Sequence, residues 1–191
     1  MKNIKGSQTE QNLLVSFAGE SQARNRYEFF ASKAKKEGFI QISRIFEETA
    51  IQEKAHASSF YKLLKGGDVE VTTTFHAGGN GTTKENLLAS ASGENHEHTE
   101  MYPGFALVAQ EEGFENIARV FEAVAVAEKQ HEKRFLELAD NIDKNRVFQR
   151  NETKDWRCLN CGYHHEGKES PDSCPACAHS RAYFEILGEN W

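Results

Sequence analysis

No stretch of the chain approaches the ~20 consecutive apolar residues that a membrane-spanning helix needs, so no such span is expected. Positive charge is short as well. The 23 Lys and Arg against 29 Asp and Glu leave a net charge of −6, which argues against a nucleic-acid partner and suits small substrates. Cysteine is absent before residue 158, and all four cysteines lie in the tail. No secretory signal is read at the N-terminus, so a disulfide framework is disfavoured and a cytoplasmic location is expected. What remains is an ordinary soluble composition, 38% hydrophobic and 27% charged over 191 residues, enough for one medium domain and one small one.

The chain repeats itself. Leu87, Leu88, Gly93 and Glu94 match Leu13, Leu14, Gly19 and Glu20 at an offset of 74 (94 minus 20). Further on the offset is 75 (128 minus 53): Glu112-Gly113-Phe114 matches Glu37-Gly38-Phe39, and Ile117, Phe121, Glu128, His131, Phe135 and Leu138 match Ile42, Phe46, Glu53, His56, Phe60 and Leu63. One residue has therefore been added between about 95 and 102. A repeat of this length suits a duplicated helical hairpin, and two hairpins make a four-helix bundle. The Gly-rich run from Lys65 to Thr83 predicts a long crossover between them, the two Glu-Gly-Phe segments predict short turns, and Pro103-Gly104 predicts a kink in helix 3.

Helical periodicity places charge where a core is expected. Ile42, Phe46, Thr49, Glu53, His56, Phe60 and Leu63 step alternately by four and three, and Ile117, Phe121, Val124, Glu128, His131, Phe135, Leu138 and Ile142 do the same. Leu13, Phe17, Glu20, Arg24, Tyr27 and Ala31 give helix 1; Leu87, Ala91, Glu94, Glu97 or His98, and Met101 give helix 3. Each helix thus carries a carboxylate at a core position. Burying an unpaired carboxylate costs several kcal/mol, so cations are needed. One Glu from each of two helices with Glu-x-x-His from the other two is the ligand set of ferritin-like di-iron and di-manganese proteins. Here it comprises Glu20, Glu94, Glu53/His56 and Glu128/His131, with iron or manganese favoured over zinc or copper. Glu97, three residues after Glu94, offers a fifth carboxylate where the first half has Ala23.

In the tail, Cys158-x-x-Cys161 and Cys174-x-x-Cys177 form two knuckles able to build a tetrahedral thiolate site for zinc or for one iron. Trp156, Tyr163, Tyr183 and Phe184 can pack around it. The expected organisation is a bundle over 1–148, a polar linker over 149–155 and a knuckle domain over 156–191.

Gly19-Glu20-Ser21-Gln22-Ala23-Arg24-Asn25-Arg26-Tyr27, Gly93-Glu94 with Glu97, both Glu-x-x-His motifs, Cys158-x-x-Cys161-Gly162-Tyr163 and Cys174-Pro175-x-Cys177 together resemble the rubrerythrins, over essentially the whole chain. The resemblance implies a ferritin-like di-iron bundle fused to a rubredoxin-like Fe(Cys)4 domain. It implies a non-haem peroxidase that reduces hydrogen peroxide to water in oxidative-stress protection. Electrons would come from NAD(P)H through a separate reductase or small carrier, by way of the tail iron. By the family pattern Glu53 and Glu128 bridge the irons, Glu20 and Glu94 are terminal, His131 binds one iron, and His56 exchanges with Glu97 at the other. Tyr27 and Tyr102 would hydrogen-bond ligating glutamates, and Glu97 or Glu53 would supply a proton. A head-to-tail homodimer is implied, in some members with helices exchanged. Ala178 departs from the Gly usual after the last cysteine of rubredoxins, which bears on the tuning of that iron. Other classes are a ferroxidase or iron-handling ferritin relative, a dioxygen-reducing oxidase, and a sensing or structural protein with zinc in the knuckles.

Overall fold

The computed structural model describes residues 3–190. Two helical hairpins form the larger part. Helix α1 (Gln8–Lys36) pairs with α2 (Ile40–Leu63); after an irregular crossover over 64–82, α3 (Thr83–His96), a π-helical turn (Glu97–Met101) and α4 (Tyr102–Glu111) run as one interrupted helix against α5 (Glu115–Asp143). No described helix is long and apolar enough to cross a membrane.

Local chemistry sets these boundaries. Ser7 accepts the Glu10 N–H at the start of α1, and Thr82 and Glu85 form a reciprocal capping box at the start of α3. Each hairpin turns on a glycine in the left-handed region, Gly38 (φ 85°) and Gly113 (φ 76°). Phe39 N–H then reaches back to Ala34 O at 2.9 Å, and Phe114 N–H to Ala109 O at 2.7 Å. The glutamate of each Glu-Gly-Phe turn caps the other hairpin. The Glu37 carboxylate accepts Thr83 N–H (2.8 Å) and Oγ1–H (2.6 Å), while Glu112 accepts Thr9 N–H (2.8 Å) and Oγ1–H (2.5 Å).

The inserted residue has a structural counterpart. Tyr27 lies seven residues after Glu20, about two α-helical turns, and so on the same face. Tyr102 lies eight residues after Glu94 and would miss that face in a regular α-helix. The π turn, closed by Tyr102 N–H on Glu97 O, holds about one residue more than an α turn and restores the alignment. The break expected at Pro103-Gly104 therefore lies one turn earlier, with Pro103 in the first turn of α4, directly after the π turn.

Two apolar clusters lie on either side of the carboxylate layer. One gathers Tyr27, Phe30, Ile42, Phe46, Leu87 and Phe135; the other gathers Leu13, Phe60, Tyr102, Ala109, Ile117 and Phe121. Each draws on both hairpins. The α1 seam expected through Arg24 runs through buried Ala23 instead, because Arg24 turns outward to pair with Glu28 at 3.0 Å.

The tail is a three-stranded antiparallel sheet of order β2-β1-β3, with β1 Gln149–Cys158, β2 His164–Glu169 and β3 Phe184–Ile186. The segment 149–155, read as linker, is thus the first part of β1. Its polar side chains suit a strand exposed over Asn151–Glu152–Thr153 and joined to β2 through an irregular register. The tail rests on the α1–α2 turn: Phe39 stacks on Phe148 (6.2 Å), and Arg44 Nη2 donates to Leu159 O at 3.1 Å. The two knuckles are backbone copies. Gly162 N–H bonds Cys158 O and Cys158 N–H bonds Tyr163 O; Ala178 N–H bonds Cys174 O and Cys174 N–H bonds His179 O. Gly162 adopts φ 78°, and Ala178 is held at φ 58°, a conformation that strains a side chain.

Two stability changes follow. Partial burial pulls the Glu37 carboxyl upward, but the Thr83 hydroxyl and N–H outweigh it and hold it below the usual range. Glu37→Ala should therefore cost about 1 kcal/mol at neutral pH, as loss of a helix cap does. The folded pKa is depressed, so this contribution is present above the unfolded carboxylate pKa and is lost as pH falls through the folded one. Urea melts at pH 7 and pH 3 check it, the deficit shrinking at pH 3. Ala178→Gly should stabilise the tail by about 0.5–1 kcal/mol, the strain relieved exceeding the backbone entropy of glycine. The urea midpoint of buried Trp156 fluorescence reads the change.

Candidate metal centres

Midway along the bundle the four helices deliver Glu20 (α1), Glu53 and His56 (α2), Glu94 (α3), and Glu128 and His131 (α5) into one layer. The four glutamates are at most 1% exposed. They resolve into two overlapping sets, Glu20/Glu53/His56/Glu128 and Glu53/Glu94/Glu128/His131, each with ligand atoms within 4.8 Å of one another. Glu53 and Glu128 belong to both. Glu53 turns Oε2 to His56 Nδ1 (3.0 Å) and Oε1 to His131 Nδ1 (3.1 Å); Glu128 turns Oε1 to His56 (2.9 Å) and Oε2 to His131 (2.8 Å). Of the two imidazoles, Glu20 approaches His56 (3.9 Å) and Glu94 approaches His131 (3.8 Å). This is the geometry of two cation positions, with two shared carboxylates and one further carboxylate and one imidazole each.

The atoms of this layer fit metal better than they fit one another. Glu20 Oε2, Glu53 Oε1, Glu94 Oε2, both Glu128 oxygens and His131 Nδ1 are buried without a hydrogen-bond partner, although oppositely charged groups lie near. Their lone pairs converge, and a cation satisfies them together. The electrostatics report the same crowding. Burial pushes Glu20 well above the carboxylate range, with Glu53 and Glu128 adding to it, and pushes Glu94 up to about 8. Burial also raises Glu53, but His131 and His56 outweigh it and draw it down to about 2. Burial lowers both imidazoles, yet Glu128 and Glu53 carry His56 up to about 9 and His131 up to about 12.

A second ring of contacts crosses the repeat. The Tyr27 hydroxyl donates to Glu94 Oε1, and the equivalent Tyr102 hydroxyl donates to Glu20 Oε1. Each tyrosine thus orients the outer carboxylate of the opposite hairpin. Burial, followed by those carboxylates, raises both phenols well above their ordinary value, so they stay donors. Some contacts were hidden in the sequence. His131 Nε2 lies 2.9 Å from Gln52 Oε1, and His98 and Asn95 grip Glu132 at 2.6 and 2.9 Å. Neither group sits in a recognisable motif; only their lack of repeat counterparts marks them.

Glu97 stands apart. It opens the π turn, is half-buried, and belongs to neither four-residue set. Burial raises its carboxyl well above the usual range, Glu94 and Glu128 raise it further, and Arg26 opposes them. It lines a cavity of about 220 Å³ beneath the crossover, together with Arg26, Tyr27, Phe30, His76 and Gly93.

In the tail Cys158, Cys161, Cys174 and Cys177 converge, with Cys158 Sγ 3.7 Å from Cys177 Sγ and Cys161 Sγ 3.6 Å from Cys174 Sγ. A tetrahedron of sulfurs about 2.3 Å from one ion has edges of roughly 3.7 Å, whereas a disulfide needs about 2.05 Å. The His179 N–H lowers the Cys177 thiol to about 6, which favours the thiolate.

The comparisons agree with this geometry. The rubrerythrin family model matches residues 11–139, and that of the rubrerythrin rubredoxin-like domain matches 156–185. A rubrerythrin of Nitratidesulfovibrio vulgaris is 60% identical over 191 residues, covering all of both chains. Among solved structures, nigerythrin in a mixed-valence state superposes with a TM-score of 0.64 at 34% identity, over 97% of this chain and 89% of that one. A bacterioferritin, BfrA of Mycobacterium tuberculosis, shares the fold alone, with a TM-score of 0.63 at 18% identity over 75% of this chain and 90% of its own. The bundle is therefore ferritin-like, and its two sites are a di-iron pair and a rubredoxin-like four-cysteine iron site. Similarity unbroken from end to end, with both family models in the same order along it, leaves one conclusion: the chain belongs to the rubrerythrin family of di-iron proteins.

Proposed function

We propose that the protein is a non-haem peroxidase, reducing hydrogen peroxide to two waters with two electrons and two protons. The observation that carries this reading is the pair of carboxylates, Glu53 and Glu128, each offering one oxygen to each imidazole in a dry layer, in the same chain as a thiolate electron-transfer site. Two irons held there supply two electrons and paired Lewis acidity to an O–O bond. Glu53 and Glu128 would be shared by the two irons, Glu20 and Glu94, held by Tyr102 and Tyr27, would be the outer ligands, and His56 and His131 would give one imidazole each.

Glu97 has two parts in this reading. Burial makes its carboxyl hold a proton more readily than an exposed one, and it lies one turn from Glu94, on the wall of the cavity through which a small substrate reaches the layer. It is the general acid for the departing oxygen. It would also be the carboxylate able to take the place of His56 at an oxidised site, and it opens the π turn. Arg26 adds positive charge to the same cavity and His76 a polar ring, which suits a small polar molecule.

Electrons come from NAD(P)H through a separate reductase and pass by the four-cysteine iron. The tail of one chain rests beside Arg44, nine residues along α2 from Glu53 and so roughly 13 Å along the helix axis. A head-to-tail homodimer shortens this route by setting the tail of one copy against the ligand layer of the other. The protein works in the cytoplasm, where thiols stay reduced.

Anaerobic stopped-flow mixing of the fully reduced protein with hydrogen peroxide or with air-saturated buffer tests the activity. Fast return of the red iron–thiolate absorption with peroxide, and slow return with dioxygen, is expected; the reverse preference would make the protein an oxidase. Glu97→Gln should lower peroxide turnover by roughly 10²-fold or more, the usual loss of a general acid, while two irons per bundle are retained. Loss of iron in proportion to loss of turnover would remove the acid role.

A further inference from the structure

The two halves of the ligand layer are near copies, yet among the described residues one imidazole is held from behind and the other is not. His131 Nδ1 faces Glu53 and Glu128, and its other nitrogen, Nε2, meets Gln52 Oε1 at 2.9 Å. Gln52 is itself secured. Arg134 Nη2 donates to the same oxygen at 3.4 Å and to Thr49 Oγ1 at 2.6 Å, while Arg134 Nη1 reaches Glu48 Oε1 at 2.9 Å. Two donors converging on one amide oxygen set the amide's orientation, since turning its NH₂ toward them would oppose donor to donor. With a metal in place of the Nδ1 proton, the His131 ring would keep its proton on Nε2 and present the Nδ1 lone pair to the layer.

At an offset of 75 the counterparts of Glu48, Thr49 and Gln52 are Ala123, Val124 and Ala127, and the counterpart of Arg134 is Ser59. The first three have no hydrogen-bonding side chain, and Ser59 donates its hydroxyl to Ala55 O at 3.0 Å. No hydrogen bond reaches His56 Nε2 among the described residues, and the His56 side chain is 16% exposed against 6% for His131. An imidazole fixed at both nitrogens gives up ordering entropy before metal arrives; one fixed at a single nitrogen does not.

We infer that Gln52, braced by Arg134, is a positioning residue that locks His131 as a permanent metal ligand, and that its missing counterpart at Ala127 leaves His56 as the replaceable one. The inference rests on the dinuclear reading of the bundle, and its test separates the two.

Cobalt(II) is titrated into full-length metal-depleted protein against a chelator, and iron-loaded protein is followed by ⁵⁷Fe Mössbauer spectroscopy. The wild type should hold two cobalt ions in the bundle besides the tail ion. Gln52→Leu should weaken one of the two by roughly 10- to 100-fold, the usual effect of losing a contact behind a ligating imidazole, leave the other within about twofold, and alter one of two iron signals. Gln52→Glu keeps an oxygen acceptor and should restore the affinity to within about threefold. Far-UV melting and the tail's thiolate–cobalt band establish that each variant is folded. Unchanged affinities in Gln52→Leu, or equal weakening by Leu and Glu, would overturn the positioning role; fewer than two bundle ions in the wild type would overturn the dinuclear reading beneath it.

Discussion

Four carboxylates enclosed at one depth of a helical bundle repel one another and have lost the water that would solvate them. Hydrophobic burial above and below the layer has to offset that repulsion until cations arrive. The two apolar clusters do so in a balanced way, with Phe46 and Phe135 on one side and Phe60 and Phe121 on the other, all fully buried. The tyrosine hydroxyls on the outer carboxylates and the imidazoles between the shared ones distribute the remaining charge. The layer is therefore a site of stored electrostatic cost that metal releases, and the fold is the means of keeping it assembled.

Duplication explains why the layer has two positions, and departures from duplication explain why the positions differ. The π turn, the Gln52–Arg134 brace and the His98–Glu132 pair all lack counterparts in the other half. Of these, the brace reaches one ligand set only, through His131. A symmetric site would bind two ions alike; here His131 is met at both ring nitrogens, by carboxylates at one and by Gln52 at the other, while among the described residues His56 is met on one nitrogen only.

Much of this was legible in the residues. Charged side chains on a core seam are costly, so their recurrence at repeat-equivalent positions singled out Glu20, Glu53, Glu94, Glu128 and both histidines, and a one-residue slip in the repeat marked the place where the π turn lies. The fifth carboxylate was visible too, though its position on the cavity wall rather than within either ligand set depends on the π turn's geometry. Gln52 and Arg134 were not legible, because a polar residue at the edge of a seam looks like an ordinary surface choice. Glu37 and Glu112 were hidden for the same reason, since a capping partner on another hairpin has no fixed spacing in sequence. The start of β1 read as linker because polar strands in a small metal-held sheet lack the apolar alternation by which strands are recognised.

The hairpins are joined by reciprocal bonds: Glu37 on Thr83 and Glu112 on Thr9, Tyr27 on Glu94 and Tyr102 on Glu20. None of these bonds depends on whether the two hairpins are covalently continuous. An isologous exchange between two chains would re-form each of them unchanged, so the contacts are indifferent to the outcome. The choice falls to the segment 64–82, whose length and stiffness set the effective concentration at which one hairpin meets its own partner. In this architecture the choice between pairing within a chain and exchange between chains would be a matter of polymer statistics in a loop, independent of the chemistry in the layer it connects.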